Sequence, residues 1–153
     1  MRFRLRWYAV STARVLLRRW QALVLLCGIL ASAPFMSGRE LLAFVAFAKR
    51  CALTADVMDI CARFGLGSHP DTRCGDMSLG TQKKLMLATA WIGEPCVMLF
   101  DEPSNGLDAA ARLVLIELLR VRSGNNVILV STLDHEFAHA IGATVIEFDT
   151  LNG

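Results

Sequence analysis

The apolar positions of this chain fall into two kinds of run. Val97, Met98, Leu99 and Phe100 form an unbroken apolar stretch, and residues 127–132 form a second, ending in Ser131 and Thr132. Neither alternates with polar residues, as expected of strands covered by helices on both faces of a parallel sheet. Between them, residues 109–122 place Leu113, Ile116 and Leu119 at helical spacing. Ser123, Gly124, Asn125 and Asn126 then supply the turn chemistry that stops the helix. Residues 144–148 predict a third strand. Residues 56–64, followed by Gly65 and Leu66, predict a helix, and residues 83–88 predict another, rich in leucine and alanine. The expected fold class is α/β.

Three groups of residues add chemistry to this frame. Asp101 and Glu102 stand at the end of the first apolar strand, at the carboxyl edge where open α/β sheets place their ligands. Two adjacent carboxylates there divide into a holder of a hard cation and a base that polarises water. Pro103 turns the chain away, and a Ser-Asn-Gly-Leu-Asp loop follows at 104–108. Upstream, Ser78 and Gly80 precede the helix at 83–88. A serine there satisfies free backbone N–H groups, a glycine permits close approach of another body, and the exposed positive helix end suits an anion.

In this order, the serine-glycine turn, the strand ending in Asp-Glu-Pro and the Gly-Leu-Asp loop resemble the signature motif, Walker B strand and D-loop of the ATP-binding subunit of ABC transporters. The resemblance is specific over residues 77–108 and softer over about 34–150. Ser37 to Leu42 resembles the opening of that family's helical subdomain. The implied fold is a partial P-loop NTPase domain, a parallel sheet core with a helical subdomain. Residues 37–76 would be the helical subdomain, 77–153 part of the core, and 1–36 an atypical leader. The resemblance implies ATP and Mg²⁺ as cofactors. It gives Asp101 the Mg²⁺, Glu102 the role of catalytic base, Ser78 and Gly80 contact in trans with nucleotide on an opposed subunit, and Ser104, Gly106 and Asp108 the D-loop. Implied partners are a membrane-spanning transporter subunit and a second ATP-binding subunit, in a homo- or heterodimer. The implied location is cytoplasmic, peripheral on the inner face of the cell membrane.

The sequence departs from the family's pattern in several places. No G-x-x-x-x-G-K-[S/T] phosphate loop occurs in it. Met77, Leu79 and Thr81 stand where the family has leucine, glycine and glutamine. Leu133 follows Ser131 and Thr132 where the family carries its switch histidine, and Gln21 is the sole upstream candidate for the glutamine of the loop joining the helical subdomain to the core. The expected function is therefore an ATP-binding transporter component, truncated and inactive alone. The alternative is a non-hydrolysing partner that lends its signature surface to a complete ATPase.

A different chemistry is spelled by His135, Glu136, Phe137, Ala138 and His139, an H-E-x-x-H pattern extended toward Gly142. On a helix such histidines can chelate Zn²⁺ with the glutamate as base, as in metalloproteases. The position of a third metzincin ligand holds Val145, which leaves zinc chemistry a remote alternative.

Charge sets the first 39 residues apart. They contain seven arginines (2, 4, 6, 14, 18, 19 and 39) and no Asp or Glu; a net +2 for the chain thus leaves −5 on the remainder. An uncharged span runs from Trp20 to Gly38. It reads first as a replacement for the true N-terminal half of such a domain, second as a basic membrane-surface contact, and third as an export signal ending near Ala31, Ser32 and Ala33. No aromatic-basic platform points to nucleic acid. With 153 residues, 54% apolar and 20% charged, the chain can bury one core. Its five cysteines form no C-x-x-C pair, which fits a reduced compartment. A sheet lacking its first strands would leave an open edge and uncovered apolar surface, so poor solubility or dependence on a partner is expected.

Overall fold

The computed structural model describes residues 7–9, 34–68, 71–124 and 126–146. In chain order its elements are β1 (Trp7–Ala9), α1 (Gly38–Ala48), α2 (Ala55–Arg63), α3 (Leu79–Thr89), β2 (Val97–Asp101), α4 (Ala109–Ser123), β3 (Val127–Ser131), α5 (His135–Ala140) and β4 (Thr144–Ile146). Two short 3₁₀ turns, Leu66–Ser68 and Cys74–Asp76, lead from α2 to α3.

Four of the five helices among the described residues start where a polar side chain takes up a free backbone N–H; Thr54, before α2, makes no such bond. Ser37 and Glu40 form a reciprocal capping box at α1, with Ser37 N donating to Glu40 at 2.8 Å and Glu40 N to Ser37 Oγ at 3.3 Å. That backbone bond, followed by the serine hydroxyl, holds the Glu40 carboxyl below its ordinary range. Ser78 caps α3, Asp108 caps α4 and Asp134 caps α5.

The helix expected at 83–88 begins earlier, at Leu79, because Ser78 rather than the apolar run sets its start. Its two halves differ. Residues up to Lys84 are exposed or half-buried, whereas Leu85, Met86, Leu87 and Ala88 are buried, as are Ala90, Trp91 and Ile92 just beyond. The apolar half packs against α1 and α2, and Trp91 just beyond it meets the Phe100 ring of β2, so it needs no polar face. Lys49 tightens this joint by donating to the carbonyls of Ile92 at 2.8 Å and Thr89 at 3.3 Å, near the end of α3. Burial pushes its ammonium pKa down.

The sheet order is β2-β3-β1-β4. β2 and β3 pair in parallel, with Asp101 opposite Ser131. The chain then passes through α5 to β4, leaving between β3 and β4 a slot that β1 fills, antiparallel to both. The sheet is therefore mixed. Its parallel pair is the one read from the apolar runs, and its antiparallel strand comes from the arginine-rich leader. The rest of that leader up to Ala33, including Gln21, Ala31 to Ala33 and most of the uncharged span, lies outside the described residues. Of the strand expected at 144–148, residues 144–146 are observed and the last two positions also lie outside.

One continuous core joins Leu41 and Val45 of α1, Val57 and Ile60 of α2, and the buried half of α3. It continues through Met98 and Phe100 of β2, Leu115 and Leu119 of α4, Ile128 and Val130 of β3, and Phe137 of α5. Apolar surface remains outside it: Phe35, Phe47, Leu79 and Val121 are each more than two-thirds exposed. No helix among the described residues is long and apolar enough to cross a membrane.

Candidate functional site

The parallel pairing of β2 and β3 brings three polar residues to one sheet edge. Ser131, fully buried at the end of β3, donates its hydroxyl to Asp101 at the end of β2. One residue on, Glu102 leaves the strand with its N–H still bonded to the Ser131 carbonyl at 2.9 Å. Its carboxylate turns back over β3. Thr132 Oγ1 donates to Oε2 at 3.0 Å and the Leu133 N–H donates to Oε1 at 2.9 Å. The Thr132 hydroxyl also accepts the Asp134 N–H at 3.1 Å, so its one proton is committed to Glu102. Asp101 is exposed and Glu102 half-buried.

Glu102 sits at φ +43°, a left-handed backbone that a non-glycine residue adopts at a cost. The kink swings the chain off the sheet edge into the 103–108 loop, where Gly106, at φ +76°, supplies a second left-handed turn. Ser104 in this loop is buried and Asp108 is exposed.

The loop runs beside the start of α3. A Cβ built on Gly80 would stand 3.5 Å from the Gly106 carbonyl, an ordinary contact that records how closely the two segments pass. Lys83 Nζ donates to the Glu102 carbonyl at 2.7 Å, and Lys84 pairs with Asp108. That ammonium bond is the leading reason the Asp108 carboxyl lies below its ordinary range, with the Ala111 N–H adding to it. Gln82 fixes the preceding turn through Nε2, which donates to the carbonyls of Cys74 and Met77. Ser78 Oγ accepts the Thr81 N–H at 3.2 Å and shares a hydrogen bond with the Thr81 hydroxyl.

A cleft of about 630 Å³ opens beside these groups, lined by Glu102, Ser104, Gly106, Arg112, Leu133 and Asp134 among others. Across it, Arg112 holds Asp134 through both guanidinium ends and lies over the Phe137 ring, 5.7 Å from its centroid. The Arg112 bond is the main cause of the lowered Asp134 pKa.

The structure thus brings Asp101, Glu102, Ser104, Gly106 and Asp108 onto one strand end and loop, with Ser78 and Gly80 on the adjoining helix start. Sequence reasoning passed over Lys83, Lys84 and Arg112, since a lysine on a helix carries no sign of which carbonyl it will meet. Leu133 takes part through its backbone N–H, while the residue as a whole is 57% exposed. Among the described residues no group of three or more His, Cys, Asp or Glu is placed to hold a metal. His135 and His139 are exposed on the six-residue α5, whose buried face is Phe137 and Ala138. A single exposed carboxylate at a strand end fits Mg²⁺ that arrives with phosphate and keeps its waters, not a resident metal cage.

The chain is similar to known proteins of one family. A family model described as ABC transporter matches residues 12–105. The chain is 32% identical over 94 residues to ABC transporter A family member 10 of Dictyostelium discoideum, covering 61% of this chain and 11% of that protein. It is 43% identical over 88 residues to the aliphatic sulfonates import ATP-binding protein SsuB 2 of Agrobacterium fabrum, covering 56% of this chain and 34% of that protein. A solved structure described as the ATP binding subunit of an ABC transporter superposes with a TM-score of 0.58 at 26% identity, over 65% of this chain and 43% of the other. The chain spans less than half the length of each of these proteins.

Proposed function

The chain belongs to the ABC transporter family, and from that membership we propose that it is an ATP-binding component coupling nucleotide binding and hydrolysis to transport. Residues 37–76 act as its helical subdomain and 77–153 as part of its core. Asp101 holds Mg²⁺ that enters with the nucleotide, and Glu102 orients and deprotonates the attacking water. Ser78 and Gly80 present the start of α3 to nucleotide held by an opposed ATP-binding subunit, while Ser104, Gly106 and Asp108 form the loop that meets that subunit. A membrane-spanning subunit is the second partner, which places the chain on the inner face of the membrane.

The observation that carries this reading is the Asp101–Ser131 register, with Glu102 immediately beyond the strand end and its carboxylate aimed by Thr132 and Leu133. ATP and Mg²⁺ would supply the phosphoryl group and its charge compensation. This chain's residues position water, receive its proton at the Glu102 carboxylate and shape the loop beside it. No phosphate loop is present in the 153 residues, so hydrolysis at Glu102 needs one from outside them. The same observation favours a second reading, in which the chain does not hydrolyse ATP and lends Ser78 and Gly80 to a complete subunit.

ATP turnover by a mixture of this chain and a complete ATP-binding subunit separates the two. Under the first reading Glu102→Gln removes at least about 100-fold of the turnover contributed by this chain, the scale of a lost general base. Under the second, Glu102→Gln leaves the stimulation in place and Ser78→Arg abolishes it. If the wild-type chain neither binds nucleotide nor changes turnover, both readings fall.

A further inference from the structure

We propose that Lys83 is a positioning residue for Glu102, and that with Lys84 it clasps both ends of the 102–108 loop to the start of α3. Five groups fix Glu102, and four of them come from its own sheet edge or loop. The Ser131 carbonyl takes its N–H, Thr132 and Leu133 take its carboxylate, and the Asn105 N–H reaches its carbonyl at 3.2 Å. The fifth comes from a different element: Lys83 Nζ donates to the same carbonyl at 2.7 Å. A charged donor to a carbonyl is stronger than a neutral one, and this one acts on the residue whose backbone stands at φ +43°. A left-handed non-glycine residue persists only when its surroundings over-determine it, and here Lys83 supplies the external constraint.

Lys84, the next residue on the helix, is bound to Asp108 at the far end of the same loop. Between the two holds, the Gly106 carbonyl passes close to Gly80. The half of α3 beyond Lys84 is locked into the core, so the helix start cannot shift without dragging both ends of the loop. Whatever docks at Ser78 and Gly80 is thereby linked mechanically to the direction of the Glu102 carboxylate.

The clasp is tested on the chain itself by amide hydrogen exchange, with no nucleotide present. Lys83→Met keeps the aliphatic stem and removes the donor. Releasing the Glu102 backbone should free the Leu133 amide, accelerating its exchange by roughly 10-fold or more, while the Phe137 amide, bonded to Asp134, stays within about 3-fold of wild type. Lys83→Arg restores Leu133 protection. Lys84→Met instead loosens the Ala111 amide, which is bonded to Asp108. Unchanged Leu133 exchange in folded Lys83→Met overturns the proposal, as does equal acceleration at Leu133 and Phe137, which would report general loosening. If Lys83→Met does not fold, Lys83→Gln, too short to reach the carbonyl, must show the same selective release.

The catalytic consequence rests on the ATPase reading given above. In the mixture with a complete subunit, Lys83→Met should lower kcat about 10-fold with KM for ATP unchanged, since the residue acts on the base and not on ground-state binding. If wild-type chain has no effect on turnover, the ATPase reading fails while the exchange result still decides the clasp.

Discussion

At the residue scale, the site depends on hydroxyls that sequence pattern treats as ends of a strand. Ser131 and Thr132 close an apolar run and are almost wholly buried, a setting that polar groups occupy only when bonded. Thr132 satisfies this twice, donating to Glu102 and accepting from Asp134. Thr132→Val preserves shape and removes both bonds, leaving a carboxylate oxygen and an N–H short of a partner. Urea unfolding should show a loss of about 1–3 kcal/mol at neutral pH. A loss below about 0.5 kcal/mol would mean that water replaces the hydroxyl at both groups. The adjacency of Asp101 and Glu102 at a strand end was legible from the chain alone. The aim of the Glu102 side chain was not, because it is set by residues some thirty positions away.

At the element scale, α4, β3 and α5 are joined by one ion pair as well as by apolar packing. Arg112 sits in the first turn of α4 and Asp134 caps α5, so their pairing fixes the helices that flank the cleft. The bond to Arg112 is the first cause of the lowered Asp134 pKa. A carboxylate with its pKa depressed on folding contributes stability that is present above its ordinary value of 3.8 and is lost as pH falls through the lower folded value. Arg112→Met should therefore be less stable than wild type at pH 6, with the gap closing as pH drops below 3.8. Denaturant titrations at a series of pH values read this directly, and a gap that persists at the acid end would assign the loss to guanidinium packing on Phe137 instead. The helices themselves were largely visible in the sequence: the spacing at 109–122 gives α4 to within a residue, and 56–64 gives α2 to within one at each end. α3 was shortened in that reading because its exposed first half lacks the apolar pattern that marks the second.

At the scale of the whole molecule, the sheet depends on a strand that nothing in the local pattern announces. β1 has three residues, is embedded in arginine-rich text, and pairs with partners 120 or more positions away, Tyr8 opposite both Val130 and Val145. Periodicity cannot reveal such a strand, since its place is decided by the gap that the β3–α5–β4 crossover leaves. Without it, β3 and β4 would each present an unpaired edge inside the sheet. A proline at the centre of β1 removes its ladder N–H and is poorly tolerated between two strands. Tyr8→Pro should thus cost about 3 kcal/mol or more in urea unfolding and shift the chain toward aggregates in size-exclusion chromatography, while Tyr8→Val, which keeps the N–H and a strand-favouring side chain, should stay close to wild type. If Tyr8→Pro unfolds like wild type, β3 and β4 hold without β1, and the site at the β2–β3 edge is independent of the leader. If it collapses, the carboxylate pair at Asp101 and Glu102 stands on a sheet that the first ten residues complete.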